Sequence, residues 1–205
     1  MWSRLVNGWP DQQRCWHYLK LLSLLSVQFL LIYGGANLLS AHRSDVHQIY
    51  FEWELAVPLL PSMVWIYASI VPLMLSPLLC LDISQQNYLA KQMALVMLIA
   101  GAVFLVFPGK VGYESVADLP RAIAAIRSID LPYNVFPSLH VALSSIIMLH
   151  LYRTFDSRGR VFLAIWLVAL IASVLFTHQH HIADVLGGLA LAWLCYRLVP
   201  LEQCR

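Results

Sequence analysis

Val161-Phe162-Leu163-Ala164-Ile165-Trp166-Leu167-Val168-Ala169-Leu170-Ile171-Ala172-Ser173-Val174-Leu175-Phe176 holds no charged residue, and its single hydroxyl is that of Ser173. Such a run has no polar face to turn towards water, and its length approaches the roughly 20 residues that cross a hydrocarbon layer. It has company. Comparable apolar stretches occupy 21–39, 57–79, 90–107 and 139–152 before it and 183–199 after it. Six stretches of this kind predict an all-α, polytopic membrane protein with six transmembrane helices. The stretch 57–79 carries Pro58, Pro61, Pro72 and Pro77 and predicts a kinked span whose freed carbonyls are met by neighbouring helices.

The composition agrees. Of 205 residues, 60% are hydrophobic and 12% charged, about half the usual charged share. Mean hydropathy is +0.70. One soluble core of this size could not enclose that much apolar surface. Disorder and a disulfide scaffold are excluded with the soluble domain. A formal net charge of +2, with no run of Lys or Arg, gives no surface for a nucleic-acid partner. Neither a repeat of 20–50 residues nor a low-complexity linker is present, so residues 1–205 read as a single membrane domain.

Orientation follows from the Lys and Arg on the short connections. With the N-terminus inside, the inner segments hold Arg4, Arg14, Lys20, Lys91, Arg153, Arg158, Arg160, Arg197 and Arg205, and the outer ones Arg43, Lys110, Arg121 and Arg127. Nine against four predicts both termini in the cytoplasm, as an even number of spans requires. Cys15, Cys80, Cys195 and Cys204 then lie near the inner face, and no disulfide is expected. The first apolar stretch exceeds a signal-peptide core and follows a polar, aromatic segment, so it is expected to be retained. The size and simplicity of the chain suit a bacterial inner membrane.

The unusual residues fall on the outer side. The longest connection, 108–137, contains Lys110, Glu114, Asp118, Arg121, Arg127 and Asp130, and leads into Pro137-Ser138-Leu139-His140. Ser138 is a good N-cap for the helix that follows, and backbone N–H groups at such a start suit a phosphate. His140 stands in the first turn. The second cluster is Thr177-His178-Gln179-His180-His181-Ile182-Ala183-Asp184, followed by Gly187 and Gly188. His180 and Asp184, four apart, are expected to share a helix face. Asp184 could then hold one imidazole nitrogen and leave the other as nucleophile or base. A carboxylate inside a membrane helix demands a partner, and the two glycines allow close approach of another helix.

Other readings of these residues were weighed. His178, His180 and His181 could hold a metal together with His140 and Asp184, although neither HExxH nor paired-Cys spacing is present. Intramembrane His and Asp also serve transporters, but a pathway would place them at mid-depth. No GxSxG elbow surrounds Ser138 to suggest a serine hydrolase. His17, His42, His47 and His150 read as interfacial or structural. Trp53 and Trp65 read as membrane-belt residues.

Pro137-Ser138-Leu139-His140 followed by His180-x-x-x-Asp184 resembles the type 2 phosphatidic acid phosphatase (PAP2) superfamily, over roughly residue 104 to the C-terminal region. Asn134-x-Phe136-Pro137-Ser138-Leu139-His140 and Ser173-Val174-Leu175-Phe176-Thr177-His178-Gln179-His180 look like the branch of inositol phosphorylceramide synthases and their bacterial relatives. The resemblance implies a six-helix bundle with an outer active site and lipid phosphatase or head-group phosphotransferase activity. Its substrate would be a phosphatidic acid or polyprenyl diphosphate type of lipid, and no cofactor or metal is implied. It also implies that His180 is the phosphoryl-accepting nucleophile, that Asp184 orients it and that His140 protonates the leaving oxygen. Ser138 would help to hold the phosphate. Two departures concern cations. The family's first motif has Lys and, seven positions on, Arg-Pro; Lys110 is followed at that distance by Ala117, and the nearest arginine is Arg121, after Pro120. The Arg expected before the third-motif histidine is Val174. Lys110, Arg121, Arg127 and a protonated His178 are the candidates to replace them. Oligomeric state is not legible.

Overall fold

The computed structural model describes residues 10–113, 121–129 and 133–200. Arg4, Glu114, Asp118, Asp130, Cys204 and Arg205, and the side chain of Arg127, lie outside the described residues. Helices account for nearly all regular structure, and no strand is present among the described residues. Helix α1 covers Gln12–Ser40, including a π-helical stretch at Leu30–Gly34. Its start is fixed by Asp11, whose carboxylate accepts the Arg14 N–H at 2.7 Å. Residues 12–20 of the polar segment before the first apolar stretch are therefore part of the helix.

The proline-rich span is more broken than a kink. Residues Val57 to Leu60 are not helical; a 3₁₀ turn at Pro61–Met63 leads into α2 (Val64–Ala68), and after Ser69 comes α3 (Ile70–Cys80). The break precedes Pro72, which has no N–H to offer Ala68 and would press its ring on that carbonyl. Not all freed carbonyls look to neighbouring helices, as the sequence had suggested. The Leu73 carbonyl, deprived of a partner by Pro77, accepts the Ser76 hydroxyl at 2.7 Å. The Met74 carbonyl takes the hydroxyl of Tyr18 on α1.

Helix α4 (Ile83–Val106) buries Leu89, Met93, Val96, Met97, Ala100 and Phe104, a stripe at helical spacing. The long connection carries a short helix, α5 (Arg121–Ile129), which the apolar spans alone do not predict. Helix α6 (Leu139–Thr154) is the centre of the molecule, packed by α3, α4, α7 (Ser157–Phe176) and α8 (Ile182–Leu198). Leu30, Leu31, Val161, Phe162, Ile165 and Val168 point outwards, the reverse of a soluble fold.

Among the described residues, four helical segments are long and apolar enough to cross a membrane: α1, Pro61–Cys80, α4 and α7. The expectation of six is met only in part, because α6 and α8 have 16 and 17 residues. Helix α6 is buried along most of its length, whereas α8 packs on α6 and α4 and leaves Leu186, Trp193, Leu194 and Leu198 exposed.

The connections gather by parity. At one end Arg14 donates to the Leu78 and Leu79 carbonyls, and His17 bonds Asn87 at 2.8 Å. At the other, the His47 N–H meets the Pro108 carbonyl at 2.8 Å and the Leu60 N–H meets Phe176 at 2.9 Å. Cys15, Cys80 and Cys195 are free thiols. His150 is buried in the lower core and donates from Nε2 to Gln92 Oε1 at 2.8 Å, while Gln92 Nε2 donates to the Val199 carbonyl at 2.7 Å. It is structural.

Candidate active site

The starts of α6 and α8 meet through their backbones. The Ser138 N–H donates to the Asp184 carbonyl at 3.0 Å. A Cβ on Gly188 would lie 2.6 Å from the Ser138 carbonyl oxygen, so only glycine permits this approach. Ser138 caps α6 as its sequence position implied, its Oγ accepting the Val141 N–H at 3.3 Å. Since the Ala142 N–H bonds the Ser138 carbonyl, the first-turn N–H groups left unused by the cap are those of Leu139 and His140. Ser138 itself is fully buried.

The turn Thr177–His181 completes the C-terminus of α7. The Ser173 carbonyl takes the Thr177 N–H, Val174 takes Gln179 and His180, and Leu175 takes His178, while Phe176 receives Leu60 from the segment before α2. Every terminal carbonyl of the last turn is satisfied. His178 adopts φ 57°, the left-handed conformation that ends the helix. Val174, where the superfamily pattern has arginine, is buried with Val141 and Val185 in a small apolar cluster.

His180 lies before α8, not on it. The two side chains therefore do not share a helix face as the i, i+4 spacing predicts. Asp184, in the first turn, reaches back so that Oδ2 accepts the His181 N–H at 2.7 Å. That return brings the carboxylate to 3.5 Å from His180 Nδ1. The separation is within ion-pair reach and longer than a good hydrogen bond, and His180 Nδ1 has no hydrogen-bond partner. Asp184 is 1% exposed and His180 8%.

The neighbouring histidines are occupied elsewhere. The Gly112 N–H donates to His181 Nε2 at 3.0 Å, which assigns the imidazole proton to Nδ1, facing Glu54 Oε2 at 3.3 Å. Burial lowers the proton affinity of His181 below the ordinary imidazole value, although Asp184 and Glu54 oppose the shift. His178 Nε2 meets the Val57 carbonyl at 2.9 Å and its ring stacks on Tyr113 at 3.8 Å. Tyr113 also stacks on His181 at 4.5 Å; burial, reinforced by Glu54 and Asp184, raises its hydroxyl to about 12. The three histidines thus share no focus, and no group of three or more His, Cys, Asp or Glu among the described residues is arranged to hold a metal.

His140 and His180 do share one. Both border a cavity of about 540 Å³ between α1, α2, α3, α4 and α6. Its walls are otherwise mainly apolar, with Leu22, Leu25, Met93 and Met97 among them and Tyr33, Tyr67 and Asn134 among the more polar residues. Tyr67 stacks on His140 with ring centroids 4.2 Å apart. Asn134, at φ 59°, is buried and donates Nδ2 to the Tyr33 carbonyl at 2.8 Å. His140 Nε2 has no hydrogen-bond partner. Lys110 and Arg121 are exposed and are not among the residues bordering the cavity.

Sequence reasoning missed Glu54 altogether. It is 1% exposed, on a 3₁₀ turn at Glu52–Ala56, and accepts the Phe51 N–H at 2.9 Å and the Ile182 N–H at 2.8 Å. Its signal was available, because an acidic residue just outside an apolar span needs a partner. Tyr67 gave no signal beyond its type, whereas Asn134 was visible only as the first residue of the motif that ends at His140.

An all-helical protein with four membrane-length apolar helices, and with two histidines and a buried aspartate beside an apolar cavity, defines the class. A sequence model of the PAP2 superfamily matches residues 43–198, and the chain belongs to that superfamily. Membership points to phosphatase or related phosphotransferase activity. No match was found among curated proteins or among solved structures.

Proposed function

We propose that the protein is a lipid phosphatase that spans the membrane six times and acts through phosphohistidine at the extracytoplasmic face. The observation that carries this reading is the pairing of His140 and His180 on one apolar cavity, with Asp184 3.5 Å from the Nδ1 of His180. A charged head group and an apolar tail need this combination. The cavity borders α1 from Leu22 to Tyr33, about 16 Å of helix at 1.5 Å per residue, or half the hydrocarbon layer. A lipid tail enters there from the bilayer, and its phosphate stops at the histidines.

In the first step His180 Nε2 attacks phosphorus, the P–O bond to the lipid breaks, and His140 gives its proton to the departing oxygen. Asp184 holds Nδ1–H and offsets the positive charge on the phosphorylated ring. The Leu139 and His140 N–H groups and the Ser138 hydroxyl take the phosphoryl oxygens. Lys110 and Arg121, exposed and off the cavity wall, act at longer range by attracting the anionic head group. In the second step water gives a proton to His140 and its oxygen attacks phosphorus, the N–P bond breaks, and phosphate leaves. A lipid or sugar hydroxyl in place of water gives head-group transfer, the outcome suggested by the Asn134–His140 motif. The N- and C-termini lie in the cytoplasm, and the charge pattern supports that sidedness.

Purified protein incubated with labelled phosphatidic acid or a prenyl diphosphate should release labelled phosphate, with EDTA present, and His180→Ala should release none. A new labelled lipid would mean transfer. Turnover unchanged in His180→Ala would refute the mechanism.

A further inference from the structure

We propose that Glu54 is a positioning residue for the phosphoryl-transfer site, acting on His180 through His181 and Asp184; this rests on the function proposed above. Glu54 stands more than 120 positions before the histidine it serves, and no motif marks it. Its two carboxylate oxygens receive the Phe51 N–H, the Ile182 N–H and the Nδ1 proton of His181 at 2.9, 2.8 and 3.3 Å. It therefore ties the outer 3₁₀ turn to the first residue of α8, where a negative charge is also favoured by the helix dipole.

The consequence for His180 is geometric. Asp184 Oδ2 is shared unequally: it accepts the His181 N–H at 2.7 Å and lies 3.5 Å, within ion-pair reach only, from His180 Nδ1. That sharing holds only while the His181 backbone keeps its place. Glu54 holds it from one side through Nδ1 of the ring, the Gly112 N–H holds Nε2 from the other, and Tyr50 and Tyr113 clamp the ring at 4.8 and 4.5 Å. With both His181 nitrogens occupied, the adjacent His180 is the imidazole left for chemistry. A carboxylate whose sole use was to fasten the loop could be satisfied by the two backbone N–H groups. The third contact, to the ring beside the nucleophile, is what a positioning role requires.

The test compares wild type with Glu54→Gln, Asp184→Asn and the double variant. Turnover of labelled phosphatidic acid or prenyl diphosphate in detergent is read beside the melting temperature. Glu54→Gln keeps the size and one acceptor of the side chain, so the melting temperature should fall by only a few degrees. Its kcat should drop about 10- to 100-fold, with KM changed less than about threefold, since a misplaced catalytic group costs rate before affinity. The double variant should be no slower than Asp184→Asn, because both changes break one relay. Rates that multiply in the double variant, or a Glu54→Gln enzyme with wild-type kcat, would overturn the proposal.

A second readout needs no turnover. The rate at which diethyl pyrocarbonate modifies His180, followed by mass spectrometry, should change in Glu54→Gln in the same direction as in Asp184→Asn. An unchanged rate would count against Glu54 even if the wild type proved inactive on every lipid, a result that would itself refute the proposed function.

Discussion

Replacing Gly188 by alanine tests whether the two halves of the site are held by the contact between α6 and α8. The added methyl would stand 2.6 Å from the Ser138 carbonyl oxygen, 3.1 Å from Val141 Cβ and 3.4 Å from Ala142 N. Carbon–oxygen contacts of about 3.3 Å are the closest that recur between packed helices, so the helices must part by about 0.7 Å. Neither neighbour can swing aside, because the oxygen and the nitrogen belong to the backbone of a capped first turn. The Ser138–Asp184 backbone bond of 3.0 Å would lengthen with it, carrying His140 away from His180 and Asp184. A displacement near 1 Å costs on the order of 100-fold in rate, and overpacking costs about 1–3 kcal/mol in stability. Gly188→Ala should therefore fold, melt several degrees lower and lose about 10- to 100-fold in kcat. Gly187→Ala is the control. Its methyl would meet the Phe136 ring edge at 2.6 Å, and a ring can turn away, so activity should fall less than about threefold. The assay is phosphate release in detergent, normalised to folded protein by size-exclusion peak area. Equal losses in the two variants, or full activity in Gly188→Ala, would refute the reasoning.

Two further outcomes follow from buried imidazoles. Because burial lowers the proton affinity of His181 in the folded state, the unfolded chain takes up its proton first as pH falls below about 6.5. Its contribution is thus present above that pH and declines below it, by at most about 1.4 kcal/mol per pH unit. A plot of melting temperature against pH from 7.5 to 5 should be flatter for His181→Gln than for wild type, and parallel plots would contradict this. His150→Leu leaves Gln92 Oε1 without its donor and should cost about 1–3 kcal/mol in detergent unfolding. Ten residues along the helix from His140, about 15 Å, it should leave kcat/KM of the folded enzyme unchanged; a tenfold loss would give it a role that the structure does not.

The sequence disclosed the apolar spans because lipid-facing helices need no patterning, only length. Length alone marks four of the six expected spans, because α6 and α8, at 16 and 17 residues, are shorter than the others. It also smoothed over residues 57–60, where Pro58 and Pro61 prevent a helix. His140, His180 and Asp184 were legible as rare polar residues at helix starts. The engagement of both His181 nitrogens was not, since it depends on Gly112 and Glu54, which only the fold brings to the ring. Lys110 and Arg121 were expected to replace the superfamily's cations, yet both side chains are exposed. Val174 shows why one of those cations is missing: its position is packed against Val141 and Val185.

The most direct test of the account is to trap the covalent intermediate. Protein mixed with lipid carrying labelled phosphate, then denatured in alkali within a fraction of a turnover, should retain label that is stable to base and lost in acid, and mass spectrometry should place it on His180. Turnover without any protein-bound label, or label on Ser138 or another residue, would contradict the account.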